Sequence, residues 1–254
     1  LIELIDVYYY YENYTALRGI NLKIEEGERV VLLGINGSGK STLLKILNAL
    51  IFPQKGSYLY RGKRVEEKRL KERDFRRTFR REVVLLFQNP EVMIFNPTVY
   101  DELAFSLRQL GLEEKVIRDK VLYWAEKFRL TPYLQRPPFE LSTGIKQKLC
   151  LACLLVLEPK VLLLDEPTAH LDPRTTGWFV DLLWELSCTT VVSTHNLSLA
   201  NELGSRLLVL GEDHTLVYDG KIEEFFKDKE NLIRAGLLHR HRHRSTGDWH
   251  LHNL

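Results

Sequence analysis

A chain of 254 residues with 44% hydrophobic side chains can form one large α/β domain, or a core carrying a smaller inserted lobe. Its 36 Lys and Arg nearly balance 34 Asp and Glu, and the net charge of +2 leaves no field strong enough to argue for a nucleic-acid partner. The longest apolar run, Leu149 to Leu157, falls well short of the roughly 20 residues that cross a bilayer.

The first residues, Leu1-Ile2-Glu3-Leu4-Ile5-Asp6, lack the basic start and apolar centre of a secretory leader. The missing Met points to a trimmed start, and the expectation is a cytoplasmic protein. Val7-Tyr8-Tyr9-Tyr10-Tyr11, a polar turn at Glu12-Asn13 and Ile20-Asn21-Leu22-Lys23-Ile24 predict an antiparallel β layer. Period-2 alternation sends Tyr8 and Tyr10 to one face and Tyr9 and Tyr11 to the other. An aromatic face near a phosphate site could stack on a nucleobase, and tyrosines are also ordinary strand residues.

Val30-Val31-Leu32-Leu33 reads as a fully buried strand. It runs into Gly34-Ile35-Asn36-Gly37-Ser38-Gly39-Lys40-Ser41-Thr42, which fits G-x-x-x-x-G-K-[ST] at every defined position. Glycines let such a loop wrap tightly and aim its N–H groups at phosphate oxygens, and the helix that follows adds the positive end of its dipole. Lys40 can reach the β and γ phosphates of a triphosphate, and Ser41 can ligate Mg²⁺. The helix is expected to carry Leu43, Ile46, Leu47 and Leu50 on one face.

Phe52-Pro53-Gln54-Lys55-Gly56 is a turn, Ser57-Tyr58-Leu59-Tyr60 a strand, and Arg61-Gly62 another turn. Arg64 to Arg81 holds nine basic and four acidic side chains with a thin apolar stripe at Leu70, Phe75 and Phe79; a basic, aromatic-spaced run could bind nucleic acid, but the interspersed acids favour a solvated helix and linker. Val83-Val84-Leu85-Leu86-Phe87 is a second buried strand ending at Gln88-Asn89-Pro90. Amphipathic pieces at Val99 to Leu110, Glu113 to Phe128 and Leu130 to Leu134 then form an inserted helical lobe closed by Pro137-Pro138. A further helix opens at Leu141-Ser142-Thr143-Gly144, with Ser142 at the N-cap, and runs to about Leu157. Cys150 and Cys153 lie on its buried face as core thiols, and with Cys188 they are too few for a disulfide scaffold.

Val161-Leu162-Leu163-Leu164 is the third buried strand, and it ends in Asp165-Glu166. A carboxylate at a strand end beside a phosphate loop can hold Mg²⁺ through water, and its neighbour can polarise an attacking water. A helix from about Thr175 to Leu186 leads to a fourth strand, Thr189 to Ser193, beyond which His195 sits at a strand terminus suited to sensing phosphate.

This series of motifs resembles the ATP-binding-cassette ATPases from about Leu4 to Gly220. The resemblance implies a P-loop NTPase fold, with a RecA-like α/β core, an N-terminal antiparallel β layer and an inserted helical lobe. It implies a cassette domain over 1–220, with core 1–88 and 149–220 and a lobe at about 89–148, followed by a C-terminal helix and tail over 221–254. By the same resemblance, Gly34 to Thr42 is the Walker A loop binding ATP and Mg²⁺, and Gln88 is the Q-loop glutamine that also reaches the metal. Asp165 and the catalytic Glu166 end the Walker B strand, and His195 is the switch histidine. Ala169-His170-Leu171-Asp172 resembles the D-loop, and Tyr10 is the expected base-stacking aromatic. In that family two ATPase subunits pair head to tail, so that Ser142 and Gly144 of the signature would meet the γ-phosphate held by the other subunit. The family pattern L-S-G-G-Q is replaced here by Leu141-Ser142-Thr143-Gly144-Ile145, which adds a β-branched side chain and removes an amide.

Phe87-Gln88-Asn89-Pro90 and Ile94 to Val99 look most like the ATPases of energy-coupling-factor importers, which serve vitamin and transition-metal uptake. The expected partners are an integral membrane subunit and a second ATPase subunit at the cytoplasmic face of the membrane, with no nucleic acid. His239, His241, His243, His250 and His252 resemble tails of the cobalt and nickel branch; the same residues also read as a basic extension. Two other classes remain open: a nucleic-acid-linked cassette ATPase, and a subunit that holds ATP and turns it over slowly.

Overall fold

A computed structural model describes residues 1–169, 171–228, 232, 233, 238, 239, 250 and 251. The strands are β1 (Ile2–Tyr11), β2 (Tyr14–Ile24), β3 (Arg29–Leu33), β4 (Lys55–Tyr60), β5 (Lys63–Arg64), β6 (Val83–Leu86), β7 (Val161–Asp165), β8 (Thr189–Thr194), β9 (Arg206–Leu210) and β10 (Leu216–Lys221). The helices are α1 (Lys40–Leu47), α2 (Glu67–Leu70), α3 (Arg73–Glu82), α4 (Val99–Gln109), α5 (Glu114–Lys127), α6 (Thr143–Leu155), α7 (Pro173–Glu185), α8 (Leu197–Leu203) and α9 (Ile222–Lys227).

The aliphatic runs become a central sheet of order β10-β9-β3-β8-β7-β6, parallel except for the hairpin strand β10. Both faces of this sheet are covered, which is why its strands are apolar at successive positions. Val31, Leu33, Leu162 and Leu164 face the helices α4 to α9, whereas Val30, Leu32, Val161 and Leu163 face α1 and a second sheet. That second sheet, order β2-β1-β4-β5, is the expected antiparallel layer. Each fully buried Leu contributes roughly 1.5–3 kcal/mol, so sealing both faces stabilises the sheet that carries the site.

Parallel register brings the strand ends together. Leu33 is level with Thr194, Asp165 with Ser193, and Leu86 with Leu164. The loop after β3, the carboxylates ending β7, the residues ending β8 and Gln88 after β6 therefore emerge on one edge, where ligands bind in parallel α/β sheets.

Several expectations change. Leu50 lies beyond α1, which ends at Leu47 with Ala49 in the left-handed region (φ +52°), and its side chain is exposed rather than on the buried face. The predicted helix over 130–134 is a single 3₁₀ turn at Thr131–Tyr133, because Pro132 removes a donor. The expected lobe boundary at 148/149 falls inside the continuous helix α6, whose buried residues share one core with α4, α5 and the central sheet. Strands β9 and β10 and helix α8 lie outside the elements predicted. The cysteines are free, and burial pushes the Cys150 thiol up to about 12. In the tail, Leu238–His239 pairs with His250–Leu251 through backbone register His239↔His250; His241, His243 and His252 lie outside the described residues, as does His170.

Candidate functional site

Loop 34–39 passes directly into α1, and Gly39 at its N-cap has φ +108°. A side chain there would put its Cβ 2.4 Å from the Ala16 carbonyl oxygen, so only glycine lets β2 and the loop close on each other. The start of the loop is equally tight, since a Cβ on Gly34 would lie 2.5 Å from Ser38 Oγ.

A cavity of about 320 Å³ opens over this loop. Asn36, Gly37, Gly39, Lys40, Ser41 and Thr42 form its floor. Gln88, Glu166 and His195 come in from the ends of β6, β7 and β8, and Tyr14 with Ala16 closes the β2 side. Ser38 is buried beneath the loop, and its hydroxyl has no hydrogen-bond partner.

Lys40 is 6% exposed, and its Nζ donates to the carbonyls of Gly34 (2.7 Å) and Ile35 (3.2 Å). It also lies 3.4 Å from Glu166 Oε1. Burial holds the Lys40 ammonium below the usual lysine range, against the opposing pull of Glu166. The other oxygen of Glu166, Oε2, is 2.9 Å from His195 Nδ1. Oε1 is buried and accepts no hydrogen bond, its approach to Lys40 being an ion pair rather than an aligned bond. The Glu166 backbone is in the left-handed region (φ +46°), and its N–H is tied to Ser193 Oγ at 2.9 Å. Ser193 in turn donates to Asp165 Oδ1 at 2.7 Å. A carboxylate so fixed, on a residue that lines the cavity and with one acceptor position unused, can take a proton from water placed there.

The oxygens of Ser41, Gln88 and Asp165 suit a small hard cation such as Mg²⁺ in their chemistry. Ser41 and Gln88 line the cavity, and Asp165 lies just behind it, 6% exposed. Successive loop N–H groups and the α1 N-terminus provide the positive setting that phosphates require.

Other expected residues lie apart from this cavity. Ser142 and Gly144 stand at the start of α6, where Ser142 occupies the N-cap position but makes no capping hydrogen bond and is exposed. Thr143 borders a narrow neighbouring cleft with Gln88, Gln147 and Glu166 of the same chain. Asp172 is exposed and caps α7, its Oδ1 accepting from the N–H groups of Arg174 and Thr175. A hydrogen bond from Thr175 Oγ1 holds its carboxyl below the usual range.

Tyr10 requires a correction. Its ring stacks on Tyr8 (centroids 6.3 Å apart), on the face where Lys55 lies over the Tyr8 ring, and it does not line the cavity. The aromatics on the loop side are Tyr11, whose hydroxyl is 3.5 Å from Thr42 Oγ1, and Tyr14, stacked on Tyr11 at 5.2 Å. Strand alternation separates the two sets, and the register shift between Tyr9 and Tyr10 sets which set meets the loop.

Two residues escaped the sequence reading. Ser193 carried a signal, a hydroxyl at the end of an aliphatic strand two positions before His195. His214, in the turn between β9 and β10, brings Nδ1 to 3.4 Å from the Ser38 carbonyl and had no local signal.

The family model described as ABC transporter matches residues 17–169. A putative ABC transporter ATP-binding protein of Methanosarcina acetivorans is 43% identical, over 93% of this chain and 88% of the relative. The energy-coupling factor transporter ATP-binding protein EcfA of Methanothermobacter thermautotrophicus is 38% identical, over 93% and 76%. The nickel import ATP-binding protein NikO of Rhodobacter capsulatus is 40% identical, over 94% of each. Among solved structures, cbiO1 of Clostridium perfringens, part of the ABC transporter complex cbiONQ, superposes with a TM-score of 0.78 at 31% identity, over 93% of this chain and 94% of that one. With the phosphate loop, the strand-end carboxylates and these matches in agreement, the chain belongs to the ABC transporter family, as an ATP-binding subunit whose ATP hydrolysis is coupled to transport.

Proposed function

We propose that this chain is the ATP-hydrolysing subunit of a membrane importer of the energy-coupling-factor type, serving a transition metal, cobalt or nickel, or a vitamin. The observation that carries the hydrolytic part is the Glu166 carboxylate, fixed between His195 and Lys40 at the mouth of loop 34–42 with one acceptor position unused. Lys40 and the loop N–H groups bind the β and γ phosphates of ATP. Glu166 accepts the proton of the attacking water, and His195 holds the carboxylate in place. Ser41, Asp165 and Gln88 would hold Mg²⁺, which supplies charge neutralisation of the phosphates when bound.

The exposed Ser142 and the Gly144 N–H lie outside the chain's own cavity. Donors at a helix N-terminus that do not line their own chain's cavity suit a second subunit's γ-phosphate, so the working unit is a dimer, with Asp172 at its interface. The helical lobe and the Gln88 side of the groove receive an integral membrane subunit, which places the chain at the cytoplasmic face of the membrane. No helix among the described residues is long and apolar enough to cross it. The names of EcfA and NikO and the likeness to cbiO1 support the importer type. The histidines of the tail, His239 to His252, would bind the transported metal weakly. Co-purification from detergent-solubilised membranes tests the reading. An integral membrane subunit and bound cobalt, nickel or vitamin are expected, and a nucleic-acid complex with no membrane protein would overturn it.

A further inference from the structure

The loop that floors the cavity is met by the chain that follows β9. Parallel register puts Val209 level with Leu33, so the turn after β9 passes close to the loop after β3. It touches that loop near both ends. The Leu210 carbonyl backs Gly34 so closely that a Cβ there would lie 2.7 Å from it, and His214 Nδ1 lies 3.4 Å from the Ser38 carbonyl. The turn is fixed without help from the loop. The His214 N–H donates to the Gly211 carbonyl (3.1 Å), the Gly211 N–H donates to the Thr215 carbonyl (3.0 Å), and the Thr215 hydroxyl donates to the Asp213 carboxylate (2.9 Å). The His214 carbonyl also accepts from the Arg18 N–H of β2 at 2.9 Å. His214 itself is half-buried in the left-handed region (φ +64°), which histidine enters more often than most residues.

The peptide unit joining Ser38 to Gly39 has little else to orient it. It precedes the first helical bond of α1, from the Leu43 N–H to the Gly39 carbonyl, and the Ser38 hydroxyl has no hydrogen-bond partner. Turning this unit over would carry Gly39 from φ +108° to roughly −70°, which glycine adopts as readily, so local sterics do not choose between the two orientations. The unit is planar and trans, and its C=O and N–H therefore point in opposite directions. Its carbonyl is directed at His214, which does not line the cavity. The N–H of Gly39, a residue that does line it, is turned the other way.

We propose that His214 is a positioning residue for nucleotide binding: by donating from Nδ1 to the Ser38 carbonyl, it holds the 38–39 peptide in the orientation that aims the Gly39 N–H at a bound phosphate. The proposal rests on the reading of loop 34–42 as the phosphate site and adds to it a residue from the far end of the chain. A carbonyl oxygen can only accept, so Nδ1 carries the hydrogen. The neutral ring with its hydrogen on Nδ1 and the imidazolium both supply it, and the contact works in either charge state. A donor oriented in advance binds phosphate without the cost of turning the peptide when the ligand arrives.

The test uses the full chain with two substitutions. His214→Gly removes the donor and suits the left-handed backbone, whereas His214→Asn keeps an N–H donor close to the place of Nδ1 and also tolerates that backbone. His214→Gly should bind MgATP and magnesium triphosphate at least about fivefold more weakly, by the same factor for both, with KM rising more than kcat falls, since the misdirected donor meets phosphate and not the base. Its denaturation midpoint should stay near the parent value, because glycine suits φ +64°. His214→Asn should return both affinities to within about twofold of the parent. Without nucleotide, hydrogen exchange in loop 34–42 should quicken in the glycine variant and recover in the asparagine variant. Parent-like affinity in His214→Gly would overturn the proposal. So would an asparagine variant that binds as weakly as the glycine one, since His214 would then act through its bulk and not its hydrogen bond. A parent chain that binds no MgATP would count against the phosphate-site reading itself, and the exchange comparison would still decide whether His214 holds the loop.

Discussion

The imidazole of His195 and the carboxylate of Glu166 meet at 2.9 Å although 29 residues separate them. They meet because β7 and β8 run parallel with Asp165 level with Ser193, so the residue after each strand turns into the same space. Lys40 holds the other side of that carboxylate at 3.4 Å. A carboxylate held by a cation and an imidazole is oriented in advance, which would reduce the reorganisation needed if it serves as the general base proposed above.

Glu166→Gln should retain ATP binding and lower turnover by about 10²–10⁴-fold, since an amide keeps the shape and cannot accept the water's proton. Steady-state ATPase assays measure the loss. Gel filtration with ATP and Mg²⁺ should show a trapped dimer, and a parent-like rate would mean that another group is the base.

Lys40→Ala should weaken ATP by roughly 10–100-fold, the worth of a charge-assisted contact of about 1.5–3 kcal/mol. Only the protonated ammonium binds phosphate. Because burial lowers its pKa below 10.5, affinity should be full at neutral pH and fall on the alkaline side sooner than for an exposed lysine. Calorimetric titration across alkaline pH reads both effects, and Lys40→Ala should abolish the lysine-dependent part of the fall.

Ser193→Ala removes the donor to Asp165 and leaves the Glu166 N–H unpaired in a buried position. The expected cost is about 1–3 kcal/mol of stability, seen as a lower denaturation midpoint, together with a reduced kcat. A variant with parent stability and rate would show that the strand ends hold the carboxylates unaided.

Tyr14→Ala should weaken ATP by about fivefold or more, as expected from loss of base stacking worth roughly 1–3 kcal/mol, and should affect inorganic triphosphate much less. Tyr10→Ala, on the other face, should leave both affinities near the parent values. The reverse pattern would restore the assignment drawn from sequence.

Thr143→Gly combined with Ile145→Gln should raise the basal ATPase rate by opening backbone access and supplying an amide at the start of α6. Thr143 also borders the cleft shared with Gln88 and Glu166, so a fall in rate would indicate that this side chain supports its own subunit's site.

Local chemistry in the sequence was enough to determine the phosphate loop, the buried strands and the strand-end residues Gln88, Asp165, Glu166 and His195. Each follows from short-range rules: glycine where the backbone must wrap, aliphatic runs where both sheet faces are covered, carboxylates where a strand stops. Tertiary structure alone decided which side of β1 meets the loop, because the register shifts against β2 depend on pairing, and a one-residue error moves every side chain to the other face. It alone brought Ser193 under Asp165 and the turn residue His214 against Ser38, contacts that span 28 and 176 residues. Such contacts arise when distant strands pair and a helix docks, and no pattern within a short window encodes them.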